Sequence, residues 1–242
     1  MHSSPRVVAV LQARTSSGRL PAKVLLPING TPVAVLAALR AGRGGLEVRL
    51  ATSTDPTDDS LALIATEYGL PVVRGSLEDP LSRFTAATTD LDDGDLVVRL
   101  TGDNTFPDSD LIGELVEEII RSGGSYLRTS TDSGLPYGVS AEIFTVNALR
   151  QADERAHSAA EREHVTLWIR EKFGDATPET LAATYHWSHL RATVDSFADY
   201  DRMTRVFAQV DDPVSVRWVA LCELLAQLPD APVGGFPRTV SG

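Results

Sequence analysis

A single cysteine, Cys222, is all that this 242-residue chain carries. That excludes an intramolecular disulfide and any metal centre built from several thiolates. Cys222 sits in "VRWVALCELLAQL", where apolar residues recur at helical spacing, so it reads as a buried structural thiol rather than a nucleophile. Long hydrophobic runs are missing as well: none approaches the roughly 20 apolar residues that span a bilayer. The opening "MHSSPRVVAVLQAR" offers about five consecutive apolar residues, short of the roughly 7–15 of a signal-peptide core, and no A-x-A-like site follows. A cytoplasmic protein without a membrane partner is expected. Two glycine signatures, G-x-x-x-x-G-K-[ST] and G-x-G-x-x-G, are also lacking, which removes the Walker loop and the dinucleotide fingerprint. The basic excess that nucleic acid demands is absent too, since the net charge is −11.

What charge there is lies unevenly. Residues 1–49 contain seven Arg or Lys and one acid, Glu47, whereas residues 50–242 contain fifteen Arg or Lys and thirty-two acids, giving +6 and −17. A cationic opening on an acidic body points to a focused anion site. Within it, "LQARTSSGRLPAKVL" (residues 11–25) gathers Arg14, Arg19 and Lys23 with no acid.

Apolar runs and amphipathic stretches alternate along the first half. Strands are predicted over residues 7–11, 47–52, 70–73 and 95–100, and helices over 32–41, 56–68, 79–88 and 108–121. The turn Asn29-Gly30 precedes the first helix, and Asp55 with Pro56 marks the start of the second. Four strand–helix alternations within about 120 residues predict a parallel sheet with helices on both faces. In the second half, strands are predicted over 138–144 and 191–194, and helices over 146–155, 161–173, 197–207 and 214–227. Gly123-Gly124 and residues 130–138 read as loops, the latter a mobile one over the site, and the tail from Asp230 reads as poorly ordered.

Open parallel sheets bind ligands at the carboxyl ends of their strands, where residues 12–23 and 101–108 both begin. In the first loop, Ser16, Ser17 and Gly18 are small enough for backbone N–H groups to approach an anion. Arg14, Arg19 and Lys23 bring charge from three directions, and an arginine fork matches phosphate bidentately. The loop is built like a triphosphate cradle; the plain alternative is a set of solvated cations. After the second strand end, Thr101-Gly102-Asp103 supplies a carboxylate, and Asp195 follows "RATV" in the same way. Two such carboxylates suit an octahedral Mg²⁺ that keeps several waters and bridges phosphate oxygens. Asp199 and Asp201 read as helix-face residues, His186 and His189 lack a third metal ligand, and Trp168, Trp187 and Trp218 read as packing residues.

These pieces resemble a known family. "LQARTSSGRLPAKVL" is similar to the signature Q-A-R-x-x-S-x-R-L-P-x-K of the spore coat polysaccharide cytidylyltransferases, relatives of the CMP-sugar synthetases for ketodeoxyoctonate and sialic acid. Six further blocks resemble that family in the same order: "LATSTDPTDD" (50–59), "VVRGSLEDPLSRF" (72–84), "VVRLTGDNTFPD" (97–108), "GVSAEIF" (138–144), "EREHVTLWI" (161–169) and "RATVDSFADY" (191–200). Together they span roughly residues 6–205.

The resemblance implies a three-layer α/β/α sandwich with a mostly parallel mixed sheet, the nucleotide-diphospho-sugar transferase fold of the glycosyltransferase-A kind. It implies one nucleotidyltransferase domain over 1–242, with a CTP-binding half (1–128), an acceptor half (129–210) and a C-terminal helix and tail (211–242). The reaction implied is CMP transfer from CTP to a small acidic acceptor with release of pyrophosphate. Carried over by position, Arg14, Arg19 and Lys23 hold the triphosphate, with Gln12, Ser17, Gly18, Thr101 and Gly102 around it. Asp103 and Asp195 hold Mg²⁺. Ala13, Thr52 and the turn Arg74, Gly75, Ser76 lie around base and ribose, and Ser140, Glu142, Arg162, Glu163 and His164 face the acceptor. Arg19, Lys23, Asp103 and Asp195 carry the chemistry.

Two departures bear on the acceptor. Where the family pattern reads G-L-D-V-E-V-F, this chain places Ser140 at the acidic position, and "NTFPD" follows Asp103 in place of an apolar "CPLID". The acceptor is therefore left open between a sugar acid, whose hydroxyl needs deprotonation, and a phosphonate or phosphate, which arrives ionised. A glycosyltransferase of the same fold and an inactive nucleotide-binding module are the competing readings. For the first, the D-x-D-like cluster at residues 92–95 precedes its strand rather than following it. A homodimer through the apolar face of helix 214–227 is a further expectation.

Overall fold

The computed structural model describes residues 4–129, 134–177 and 185–228. Strand β1 (Val7–Gln12) forms where five apolar residues run together, and the alternation of its side chains serves two cores. Ala9 and Leu11 face one side of the sheet, Val8 and Val10 the other. A hairpin of β2 (Pro27–Ile28) and β3 (Thr31–Pro32) turns at Asn29-Gly30, both at positive φ. The chain then alternates through α1 (Val33–Gly42), β4 (Glu47–Ser53), α2 (Asp59–Glu67), β5 (Val72–Gly75), α3 (Pro80–Ala86), β6 (Leu96–Thr101) and α4 (Ser109–Ser122). Aspartate caps set several starts: Asp79 accepts the Ser82 N–H ahead of Pro80, and Asp108 accepts those of Asp110 and Leu111.

After α4 come β7 (Tyr126–Arg128), β8 (Glu142–Thr145), α5 (Val146–Arg155), α6 (Ala159–Glu163), α7 (Leu167–Phe173), α8 (Phe197–Phe207) and α9 (Trp218–Gln227). The six-stranded sheet runs β5-β4-β1-β6-β8-β7; its first four strands are parallel, and β8 is antiparallel to both neighbours. One core holds α1, α4, α8 and α9 against the sheet, the other α3, α5 and α7. This is the expected three-layer sandwich. No helix among the described residues is long and apolar enough to cross a membrane.

The second half departs from the sequence reading in five places. The strand expected over 138–144 is confined to β8, because Gly138 turns the chain at φ 97. The strand expected over 191–194 survives only as isolated bridges, Tyr137 with Arg191 and Asn104 with Thr193. The helix expected over 161–173 breaks at Val165, buried in the left-handed region at φ 53, into α6 and α7. The helix expected from 214 starts at Trp218, since Asp212 holds the Val214 and Ser215 N–H groups in a turn. Strand β7, three residues long, was not foreseen. Residues 130–133 of the expected mobile loop, and the tail from Asp230, lie outside the described residues. The apolar face of α9, offered above for a dimer, is packed inside the core through Trp218, Leu221, Cys222 and Leu225. Burial pushes the Cys222 thiol up to about 12, as a structural cysteine requires.

Candidate active site

Strand order reverses between β1 and β6, so the loops leaving these neighbours diverge and open a crevice at their carboxyl ends. The two loops start very close together. Gly102 N–H donates to the Gln12 carbonyl at 2.8 Å. A Cβ on Gly102 would lie 2.6 Å from that of Ala13, an approach only glycine permits.

Asp58, fully buried, anchors the loop after β1. One carboxylate oxygen accepts the Thr15 N–H at 2.7 Å and its hydroxyl at 2.8 Å, while the other accepts the Ser53 N–H and hydroxyl. Burial pushes this carboxyl's pKa up, but the hydrogen bonds from Ser53 and Thr15 outweigh it and hold it below the usual range. The Thr15 carbonyl in turn accepts the N–H groups of Ser17 and Ala22, each at 2.8 Å, which folds the loop back on itself. Among the described residues, the N–H groups of Ser16, Gly18 and Arg19 meet no acceptor.

Lys23, 8% exposed, closes this loop. Its ammonium stands 2.8 Å from Asp103 Oδ2 and 2.8 Å from Asp195 Oδ1. Arg19 adds a guanidinium 2.9 Å from the same Asp195 oxygen. The other oxygen, Oδ2, accepts from Arg191 and from the Thr193 hydroxyl. Asp199, the capping-box acid of α8, accepts the Asp195 N–H at 3.1 Å and fixes its backbone. Burial raises the Asp195 pKa; Lys23 first, then Arg191 and Arg19, pull it below the usual range. Two carboxylates thus converge on one small cation, here an ammonium. An all-oxygen pair of this kind fits Mg²⁺, with water and phosphate completing the shell. No group of three or more His, Cys, Asp or Glu among the described residues is arranged for a metal.

Beside this cluster lies a cavity of about 490 Å³. Gln12, Ala13, Arg14 and Asp103 line one end of it, and Arg99, Glu142, Arg128 and Ser140 line it towards β7 and β8. Arg99, Glu142 and Arg128 are register partners on β6, β8 and β7, a row of cation, anion and cation. Arg99 donates to Glu142 at 2.8 Å, the Tyr126 hydroxyl donates to the other oxygen at 3.2 Å, and Arg128 pairs with Asp175. Asn104 Nδ2 donates to Ser140 Oγ at 3.1 Å, and the Arg191 guanidinium lies 4.6 Å over the Tyr137 ring.

Residues 8–213 match the family described as Cytidylyltransferase. The chain belongs to the cytidylyltransferase family. The spore coat polysaccharide biosynthesis protein SpsF of Bacillus subtilis (strain 168) is 29% identical over 239 residues, covering 93% of this chain and 96% of SpsF. The structure of a cytidylyltransferase from Leptospira borgpetersenii serovar Hardjo-bovis superposes with a TM-score of 0.83 at 27% identity, over 92% of this chain and 94% of that one. The structure of a CMP:2-keto-3-deoxy-manno-octonic acid synthetase complexed with CTP shares the fold, with a TM-score of 0.61 at 18% identity over 84% of this chain and 99% of that one. With the family assigned, the glycosyltransferase reading falls away.

Of the residues singled out from the sequence, this cytidylyltransferase brings Gln12, Ala13, Arg14, Thr101, Gly102, Asp103, Ser140 and Glu142 into the cavity wall. Arg19, Lys23 and Asp195 join them through the carboxylate cluster. Ser17 and Gly18 form the outer bend of the loop, with open space beside Gly18. Thr52 is buried at the end of β4, its hydroxyl without a partner among the described residues. The end of β5 and the residue after it stand apart from the cavity wall: Arg74 binds the Ser53 carbonyl and Asp59, Gly75 packs on Arg83, and the Ser76 carbonyl accepts from Arg83.

Two of the residues in "EREH" stand away from the cavity wall. Arg162 binds Asp79 and Asp153, tying α6 to the start of α3, and His164 lies exposed at the end of α6; neither lines the cavity. Only Glu163 reaches the crevice, 3.4 Å from Arg14. Asp58, Arg99, Arg128 and Arg191 were not foreseen. Arg99 carried a signal, as the lone cation in an otherwise apolar strand; the other three carried none.

Proposed function

We propose that this enzyme transfers CMP from CTP to a small acidic acceptor, with Mg²⁺ as its metal and pyrophosphate as the second product. The observation that carries the reading is the convergence of Lys23 on Asp103 and Asp195 beneath a cationic loop at the strand-order reversal. The free N–H groups of Ser16, Gly18 and Arg19, with Arg14, Arg19 and Lys23, suit a triphosphate. Asp103 and Asp195 would hold Mg²⁺, which when bound stabilises charge on phosphate oxygens. Ala13, Thr52 and the turn at Arg74, Gly75 and Ser76 are assigned to base and ribose. The row Arg99, Glu142, Arg128, with Ser140, is assigned to the acceptor, whose acid an arginine fork would receive.

In this reading the acceptor oxygen attacks the α-phosphorus in line. The α–β bridging bond breaks, and Arg19 and Lys23 stabilise the charge that gathers on the departing pyrophosphate. Positioning and electrostatics do the remaining work. Pyrophosphate release from CTP, Mg²⁺ and a panel of sugar acids, phosphonates and phosphates tests the proposal. Release with at least one acceptor is expected, with turnover lowered at least about a hundredfold in Asp103→Asn and Asp195→Asn. CTP binding without release from any acceptor would favour an inactive nucleotide-binding module instead.

A further inference from the structure

We propose that Lys23 occupies the cation position between Asp103 and Asp195 until a triphosphate arrives, so that the enzyme takes its metal with the nucleotide and not before it. The proposal rests on the reading that these two carboxylates are the metal ligands.

Three observations carry it. First, the ammonium is bound to one oxygen of each carboxylate at 2.8 Å, and it is nearly buried there, so a second cation cannot share the position. Second, the local charge is unfavourable to a lone dication. Lys23, Arg19 and Arg191 face Asp103 and Asp195, with the Asp199 carboxylate behind on the Asp195 N–H, so three cations already balance three carboxylates, while Arg14 is paired with Glu163. A metal arriving alone would meet carboxylates whose charge is already neutralised; a polyanionic nucleotide would draw on Lys23 and Arg19. Third, the cations differ in freedom. Lys23 is a compact ammonium on a flexible stem, and the unpaired N–H groups of Ser16, Gly18 and Arg19 mark a phosphate position within its own loop. Arg191 is held by its stacking over Tyr137 and remains on Asp195 Oδ2. When Lys23 and Arg19 turn to the phosphates, Asp103 Oδ2 and Asp195 Oδ1 are released together, and Arg191 keeps Asp195 oriented.

The test measures Mn²⁺ binding to the full chain, free of nucleotide, from the electron paramagnetic resonance signal of unbound Mn²⁺. Wild type is expected to bind weakly, and Lys23→Met to bind at least about tenfold more tightly. Lys23→Arg, which keeps the charge, should stay as weak as wild type. Adding Asp195→Asn to Lys23→Met should abolish the gain. A structural defect does not raise metal affinity, and Lys23→Gln serves if Lys23→Met fails to fold. Equal affinity in wild type and Lys23→Met overturns the gating alone and leaves the metal pair standing. Absence of Mn²⁺ binding in every variant overturns both the gating and the metal assignment.

Discussion

At Gly102 one missing methyl group decides how closely the two loops of the candidate site begin. The Cβ that alanine would add stands 2.6 Å from the Ala13 Cβ, far inside van der Waals contact, and both neighbours are backbone-fixed by the bond from Gly102 N–H to Gln12. Gly102→Ala is therefore expected to cost about 1–3 kcal/mol in stability. It should also weaken CTP binding, because relief comes only by parting the loops. Urea unfolding and nucleotide titration measure the two effects separately, and an unchanged midpoint would mean that the loops part freely. Single residues were legible in the sequence where type alone is decisive. Cys222 is an example, its thiol pushed up to about 12 by burial in an apolar helix face. Asp58 was illegible, since "DPTDD" offers several acids and only the fold chooses the one that goes under Thr15.

Among elements, the loop after β1 owes its shape to that buried carboxylate. The folded-state pKa of Asp58 lies below its ordinary value of 3.8, so the stability it contributes is fully present above about pH 4 and is lost as pH falls through the lower folded value. Asp58→Asn should remove about 2–4 kcal/mol at neutral pH and flatten the acid limb of the stability curve. Urea midpoints at a series of pH values check this; parallel curves for the two proteins would refute it.

The four strand–helix alternations of the first half were legible because each strand is a run of buried apolar residues and several helices carry aspartate caps. The second half resists the same reading for physical reasons. The pairs Tyr137 with Arg191 and Asn104 with Thr193 are single bridges, too short to leave a period-two pattern. Val165 adopts a backbone conformation that a β-branched residue rarely takes, which no local signal announces.

Taken whole, the convergence of Arg19, Lys23, Asp103 and Asp195 was legible because these residues sit at the carboxyl ends of strands, where the sequence places them one loop at a time. The row Arg99, Glu142, Arg128 was not, since it exists only once β8 is inserted antiparallel between β6 and β7. The chain's far end is bound into the same frame. One oxygen of Asp108 caps α4, directly after the loop that carries Asp103, and the other accepts the Trp218 N–H at 2.8 Å. Trp218 then packs edge-on against Tyr185 and Trp187. A chain ending at residue 213 is accordingly expected to melt well below the full-length protein when followed by circular dichroism; an unaltered melt would show α9 to be dispensable. The family match itself stops at 213. A nonsense codon just beyond that boundary would spare Arg19, Lys23, Asp103 and Asp195 and is still expected to behave genetically as a null allele.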